Sequence, residues 1–273
     1  MLWKASIAVH AGAIATTAVN PHLWPWSLGV LVANHAVISS AGLLPRSSLL
    51  GPNWTRLPQE AAARNEVAMT IDDGPEPATT PRVLDILDRC DAKATFFCIG
   101  KRVEQHRELA TEIARRGHSI ENHSFRHPNY FSLLGPRAIA SEIERAQDAI
   151  AAITGVQPRF FRAPAGLRNP FLQPVLGRLG LQLASWTRRG FDTVNGNPDT
   201  IFRRITRNLA SGDILLLHDG NAAPTPAGVP VIYEALPRVL DELKARGMKS
   251  VVMRSALADS SARVSAPELR PPG

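Results

Sequence analysis

Cysteine is nearly absent, with Cys90 and Cys98 the only two in 273 residues. That excludes a disulfide scaffold, and without a CxxC pair there is no zinc ribbon. Cys90 falls at a predicted helix end and Cys98 inside an apolar strand. The pattern suggests no bridge and leaves the compartment open, with a lean towards a reducing one. Aromatic residues make up only 6%. The net charge of +7 is carried partly by pairs such as Arg115-Arg116, Arg188-Arg189 and Arg203-Arg204, without aromatic interleaving or a nucleic-acid motif. They read as solvated faces on or beside helices and turns, with attraction to anionic lipid head groups as a second reading, and no nucleic-acid partner is expected.

The most localised absence is of charge. Residues 5–44 contain no Asp, Glu, Lys or Arg. Ala5–Val19 is apolar, rich in small residues and marginal in length for a span; Leu23–Leu44, with Trp24 and Trp26 at its start, is long enough to cross a bilayer. Joined by Asn20-Pro21-His22, the two read as a membrane hairpin. A cleaved signal peptide is the rival, and a second apolar segment directly after the first fits it poorly. Lys4, Arg46 and Arg56 flank the outer ends while the connecting loop carries no positive charge. The positive-inside tendency then anchors the chain in a bacterial-type inner membrane with its larger part in the cytoplasm. If only the second segment spans, the outer face stays open. The expected organisation is a membrane anchor over 1–46, a loop-like linker over 47–64, a soluble domain over 65–254 and a loose tail over 255–273.

From residue 66 onward, short apolar runs alternate with amphipathic helical patterns. Strands are predicted at Val67–Ile71, Ala94–Ile99, His118–Glu121, Phe160–Phe161, Gln182–Trp186, Ile214–Leu217 and Ser250–Met253. Helices are predicted at Pro81–Arg89 with Thr80 as N-cap, at 105–116 ending on Gly117, at 136–153 with Ile139, Ile143, Ala146, Ile150 and Ile153 in one stripe, and near Asn169–Leu179, Asp199–Leu209 and Val231–Arg246. Six or seven βα units argue for an α/β fold with a parallel sheet, open or closed into a barrel, and with helices outside.

The chemistry-bearing residues follow the strands. Asp72-Asp73, His123, Arg162 and His218 each follow a predicted strand, where βα barrels collect catalytic groups on one rim. An Asp73 carboxylate and two imidazoles, His123 and His127, suit a borderline divalent ion such as zinc and leave positions open for water and substrate. Asp72 is then free to accept a proton. Taken alone, Asp72-Asp73-Gly74-Pro75 reads as a turn, and two histidines four apart on a helical turn read as surface or packing residues.

Five ordered segments over residues 65–254 resemble the polysaccharide deacetylases of carbohydrate esterase family four, which include chitin, chito-oligosaccharide and peptidoglycan deacetylases. Thr70-Ile71-Asp72-Asp73-Gly74-Pro75 is similar to the first motif, with Ile71 where Phe is usual; His123-Ser124-Phe125-Arg126-His127-Pro128 to the second; Arg162-Ala163-Pro164-Ala165-Gly166 to the third; Asp192, six residues after Trp186, to the fourth; Leu217-His218-Asp219 to the fifth. The resemblance implies a distorted (β/α) barrel of six to seven parallel strands. It makes Asp72 the base, Asp73, His123 and His127 the metal ligands and Ser124 their orienter. Arg162 and Asp192 form a pair that tunes the base, the Ala165 N–H stabilises the oxyanion, Leu217 lines an acyl-methyl pocket with Trp186 nearby, and His218 protonates the leaving amine. The implied cofactor is a divalent metal, Zn2+ ahead of Co2+, Mn2+ or Ni2+. An aromatic residue is commoner at position 165, and Thr193 stands where a tryptophan usually follows the aspartate, which puts the substrate rather than the reaction in question.

The expected function is hydrolytic removal of an acyl group, acetyl first, from an N-acylated amino sugar. The depleted aromatics and the apolar front end favour a lipid-linked or membrane-proximal saccharide over a soluble polymer. An O-acetyl carbohydrate esterase on the same site and a non-catalytic membrane glycan-binding module stay open as alternatives.

Overall fold

The computed structural model describes residues 2–256; the expected tail beyond Ala256 lies outside the described residues. Two antiparallel helices lead the chain, α1 (Leu2–Val19) and α2 (Trp24–Leu43), joined by a 3-10 turn at Pro21–Leu23. Their facing sides carry polar contacts: Asn34 Nδ2 donates to Ser6 Oγ at 2.8 Å, Thr17 Oγ1 donates to Ser27 Oγ at 2.9 Å, and the His10 and His35 Nε2 atoms lie 3.3 Å apart. Ile7, Ile14, Val30, Val32 and Val37 remain exposed. Among the described residues one helical stretch, Pro21–Leu43, is long and apolar enough to cross a membrane, while the apolar part of α1, Ala5–Val19, is shorter.

The remainder is a curled parallel sheet with helices on its outer side. In chain order it contains α3 (Gln59–Ala63), β1 (Glu66–Asp72), α4 (Thr80–Arg89), β2 (Ala94–Cys98), α5 (Gly100–Gln105), α6 (Arg107–Arg115), β3 (Ser119–Asn122), α7 (Pro136–Thr154), β4 (Phe160–Phe161) and α8 (Leu172–Arg178). There follow β5 (Gln182–Leu183), β6 (Arg188–Arg189), α9 (Pro198–Thr206), β7 (Ile214–His218), α10 (Ile232–Ala245) and β8 (Lys249–Ser250). The strand order is β5-β4-β3-β2-β1-β7-β6, with β8 also paired to β1. Period-two alternation divides the core. Val67, Met69, Ile71, Leu215 and Leu217 join the helices, whereas Ala68, Phe97, Phe160, Ile214 and Leu216 fill the barrel interior.

Several local expectations change. The helix expected over 105–116 is two helices broken at His106 (φ −126°, ψ 54°). Thr80 is the first residue of α4 rather than its cap; its hydroxyl accepts from Glu76 N–H at 2.7 Å and donates to Asp219 Oδ2 at 2.5 Å. The strand expected at Gln182–Trp186 ends at Leu183. Arg188-Arg189 is not a solvated helix or turn pair but the edge strand β6, and Arg188 Nε reaches the buried Asp213 at 2.9 Å. The last strand is Lys249–Ser250, earlier than Ser250–Met253.

Residues 47–64 are no free tether. Strands β5 and β6 do not pair with each other among the described residues, and Trp54–Leu57 fills the seam. Trp54 N–H donates to Leu183 O at 2.9 Å, Ser185 N–H to Trp54 O at 2.8 Å, and Leu57 N–H to Gly212 O at 2.8 Å. Arg56 pairs with Asp213 at 2.5 Å, and Leu57 and Ala61 are buried against Phe160, Ala184 and Ile214. Leu57→Ala should therefore destabilise the domain by about 2–4 kcal/mol, read from denaturant unfolding of the full chain in detergent; a free linker would leave the midpoint unchanged.

Candidate active site

The C-terminal ends of four strands converge. Parallel register places Asp72, the last residue of β1, beside His218, the last residue of β7. Strand β3 delivers His123 immediately after its end, and β4 delivers Arg162 in the same way. The backbone then turns through the left-handed region at Asp73 (φ 76°), Ser124 (φ 61°), His127 (φ 54°) and Ala165 (φ 54°). Four non-glycine residues held there within the site are a local strain that the surrounding hydrogen bonds must offset. One such bond runs from Asp73 N–H to Phe97 O at 3.2 Å. The two histidines are carried by this irregular loop, not by the expected helical turn.

Asp73, His123 and His127 present ligand atoms all within 4.8 Å of one another. Asp73 Oδ1 lies 3.3 Å from His123 Nε2 and 3.5 Å from His127 Nε2. His123 Nδ1 lies 2.8 Å from Arg162 O, which places a proton on Nδ1 and leaves the Nε2 lone pair for a metal. Ser124 Oγ accepts the His127 N–H at 3.0 Å and so holds the loop that aims this ligand. Asn221 Nδ2 donates to Asp73 Oδ2 at 2.8 Å, leaving Oδ1 turned to the imidazoles. Burial and then the neighbouring His123 push His127 down to about 4, so it is neutral near pH 7. Burial opposes the ionisation of Asp73, yet its hydrogen bond to His123 and the nearby His218 and His127 hold it well below the usual carboxylate range. One carboxylate and two imidazoles on an open face fit a divalent ion of the zinc type.

Asp72 belongs to a second network. Arg162, fully buried within the barrel, donates from Nη1 to Asp72 Oδ1 at 2.6 Å and to Thr70 Oγ1 at 2.8 Å, and from Nη2 to Ser185 O at 2.7 Å. Its guanidinium carbon stands 4.0 Å above the Phe97 ring centroid. Asp72 Oδ2 faces the ligands, 3.8 Å from His123 Nε2.

The expected Arg162–Asp192 pair is corrected. Asp192 follows β6, next to β7, and both its oxygens are taken by His218: Oδ2 accepts the backbone N–H at 2.7 Å and Oδ1 lies 3.0 Å from Nδ1. Burial alone would lower the imidazole pKa, but the Asp192 charge and hydrogen bond, with Asp72 and Asp73 beyond, raise it to about 9.

The pocket over these groups is walled by Ala165, Gly166, Trp186, Arg189, Thr193, Leu216 and Asn221. Ala165 and Trp186 thus stand where they were expected. Leu217 does not: its side chain packs into the helix-side core, and Leu216, one residue earlier, faces the pocket with His218. Alternation along a strand requires this, since residues two apart share a face. Thr70 was legible by the same rule two places before Asp72. Arg189 and Asn221 had no comparable signal.

Residues 59–184 match the family model described as polysaccharide deacetylase. A peptidoglycan-N-acetylglucosamine deacetylase of Bacillus cereus is 34% identical over 193 residues, covering 70% of this chain and 87% of that relative. A chitooligosaccharide deacetylase of Azorhizobium caulinodans is 33% identical over 191 residues, covering 67% of this chain and 90% of that relative. Among solved structures, a pseudoenzyme of carbohydrate esterase family four from Bacillus anthracis superposes with a TM-score of 0.67 at 26% identity, covering 76% of this chain and 69% of the other. A peptidoglycan N-acetylglucosamine deacetylase bound to 4-naphthalen-1-yl-N-oxidanyl-benzamide gives 0.66 at 28% identity, covering 75% and 92%. The chain belongs to the polysaccharide deacetylase family and is a hydrolase of carbon–nitrogen bonds other than peptide bonds.

Proposed function

We propose that this chain removes an acetyl group from an N-acetylated amino sugar with the help of a divalent metal held by Asp73, His123 and His127. The observation that carries the reading is the convergence of that triad on a second carboxylate, Asp72, opposite a histidine kept as a cation. A pseudoenzyme with the same fold makes the point that the fold alone is not enough. The relatives named above are peptidoglycan-N-acetylglucosamine and chitooligosaccharide deacetylases, which supports a substrate among N-acetylated amino-sugar glycans.

When bound, the ion supplies Lewis-acid activation of water and of the amide carbonyl, Zn2+ being the first candidate by ligand type and Co2+, Mn2+ and Ni2+ compatible. Asp72 is the base: Arg162 holds Oδ1, and Oδ2 accepts the proton of the attacking water. Ala165 offers its backbone N–H at the pocket wall to the carbonyl oxygen as charge develops there. His218, oriented by Asp192 through Nδ1, gives a proton to the departing amine. A persistent imidazolium favours an amide substrate over an O-acetyl ester, because an alkoxide leaves with less acid assistance.

The helix pair is the anchor in this reading, with residues 1–46 in the membrane and 65–254 as the catalytic domain. If both helices cross, the two ends return to one side, and Lys4 and Arg46 support the cytoplasm as that side. Arg56 is a weaker guide, since it is engaged by Asp213. Reporters fused at the C-terminus should be active if they work in the cytoplasm and silent if they need an oxidising compartment; the reverse pattern would move the domain to the outer face.

Asp73→Ala should lose bound metal and activity together. Asp72→Asn should keep the metal, measured by elemental analysis, while acetate release falls about 10²-fold or more; loss of metal in that variant would contradict the division of roles. Chelation should abolish release and added Zn2+ restore it. Activity on O-acetylated sugars with none on acetamides would select the esterase instead.

The pH dependence follows from His218. A pKa raised to about 9 keeps the acid protonated through neutrality and loses it as pH rises past that value. Removing the Asp192 charge removes the cause, so Asp192→Asn should move the basic limb of kcat to lower pH. An unmoved limb would assign it to another group.

A further inference from the structure

The anchor and the pocket are one assembly. Helix α2 ends at Leu43, and the chain at once meets the loops that wall the site: Arg168 N–H donates to Gly42 O at 3.1 Å, Arg168 Nη2 donates to Ser47 O, and Ser185 Oγ donates to Pro45 O at 2.5 Å. Gly166, in the pocket wall, is wedged between Pro45 and Trp186; a Cβ there would come within 2.8 Å of Pro45 Cβ and 2.6 Å of the Trp186 ring. All these loop residues follow β4 or β5, so the membrane helix leaves the domain on the strand C-terminal face.

That face is also where the domain exposes its large apolar side chains. Beyond residue 50 six are exposed among the described residues, and five of them, Tyr130, Leu133, Phe171, Phe191 and Val194, sit in loops after the C-terminal ends of β3, β4 and β6; Val156 alone lies at the other end. An exposed apolar rim of this kind fits a ligand groove or a membrane surface, and its continuity with the end of the apolar helix α2 favours the membrane.

The pocket wall adds a charge. The Arg189 guanidinium lies over the rings of Trp186 and Phe191, 5.3 and 4.9 Å from their centroids, and its buried Nε has no hydrogen-bond partner among the described residues. No ion pair of Arg189 with a carboxylate is present among them. A guanidinium beside two aromatic rings, at the pocket wall and without a carboxylate partner among the described residues, suits a phosphate.

We propose that the strand C-terminal face rests on the bilayer and that its pocket takes an N-acetylated amino sugar joined through phosphate to a lipid, with Arg189 reading the phosphate. This rests on the deacetylase reading above and names its substrate class. The sugar then meets Asp72 and His218 at the height of the head groups, without leaving the membrane surface.

Three substrates offered to the full chain in lipid nanodiscs test it: N-acetylglucosaminyl diphosphate polyprenol in the same disc, soluble N-acetylglucosamine 1-phosphate, and a soluble chito-oligosaccharide. Acetate release should favour the lipid-borne sugar in kcat/KM by about tenfold or more over either soluble one. Leu133→Asp combined with Val194→Asp, at positions 83% and 80% exposed, should lower only the lipid arm and leave the oligosaccharide arm unchanged. Arg189→Gln should lower both phosphate-bearing arms relative to the oligosaccharide. Equal turnover of lipid and soluble sugars, or an equal effect of the aspartates on both, overturns the proposal while sparing the deacetylase reading. No acetate from any arm removes that reading itself. Independently of activity, a nitroxide at Val194→Cys in a Cys90→Ser background should be relaxed more by oxygen than by a water-soluble paramagnetic complex; the opposite order puts this face in water and overturns the proposal.

Discussion

One buried guanidinium organises the site. Arg162 ties the base to the barrel through Asp72 and Thr70, and its own carbonyl oxygen holds the Nδ1–H of the ligand His123. It also grips the backbone oxygen of Ser185, whose side chain donates to Pro45 O just after helix α2. A buried cation is costly unless every donor is matched, and burial does press the Arg162 pKa downward while Asp72 opposes it. The same residue therefore links Asp72, the candidate metal triad and the segment that follows α2, and losing it would unpair Asp72 as well as reshape the pocket.

The charge pattern follows a division of labour that geometry makes readable. Asp72 and Asp73 are neighbours in sequence but answer to different partners, Arg162 on one side and the imidazoles with Asn221 on the other. Asp192 serves neither; it sustains the imidazolium of His218 across the pocket. Keeping an acid protonated within reach of a base that must stay ionised is what amide cleavage with an amine leaving group requires.

Much of this was legible in the chain. The alternation of apolar runs and helical stripes located the principal strands, and every ligand and acid–base candidate lies in one pocket, because a parallel sheet sends strand C-termini to one rim. What was not legible depended on contacts far apart in sequence. Spacing says nothing about which carboxylate Arg162 meets, so the partner expected in Asp192 was in fact Asp72. The pocket position given to Leu217 belonged to Leu216, an error that strict alternation from His218 would have prevented. β6 is two residues long and basic, too short to show a period, and Trp54–Leu57 looked like a linker because its ordering comes entirely from strands formed later in the chain.

That seam has a consequence for assembly. Trp54 meets Gln182, 128 residues away, through its indole N–H at 2.5 Å. The segment leaves the ribosome before any strand of the sheet exists, yet its pairing partners follow 128 residues later or more. Closure of the barrel is thus a late, long-range event, slow by the ordinary penalty on distant contacts. Helices α1 and α2 precede that segment in the chain, and the contacts of Gly42, Pro45 and Ser47 with the loops after β4 and β5 tie it beside the closing seam, so the helical front end serves as a jig for the fold.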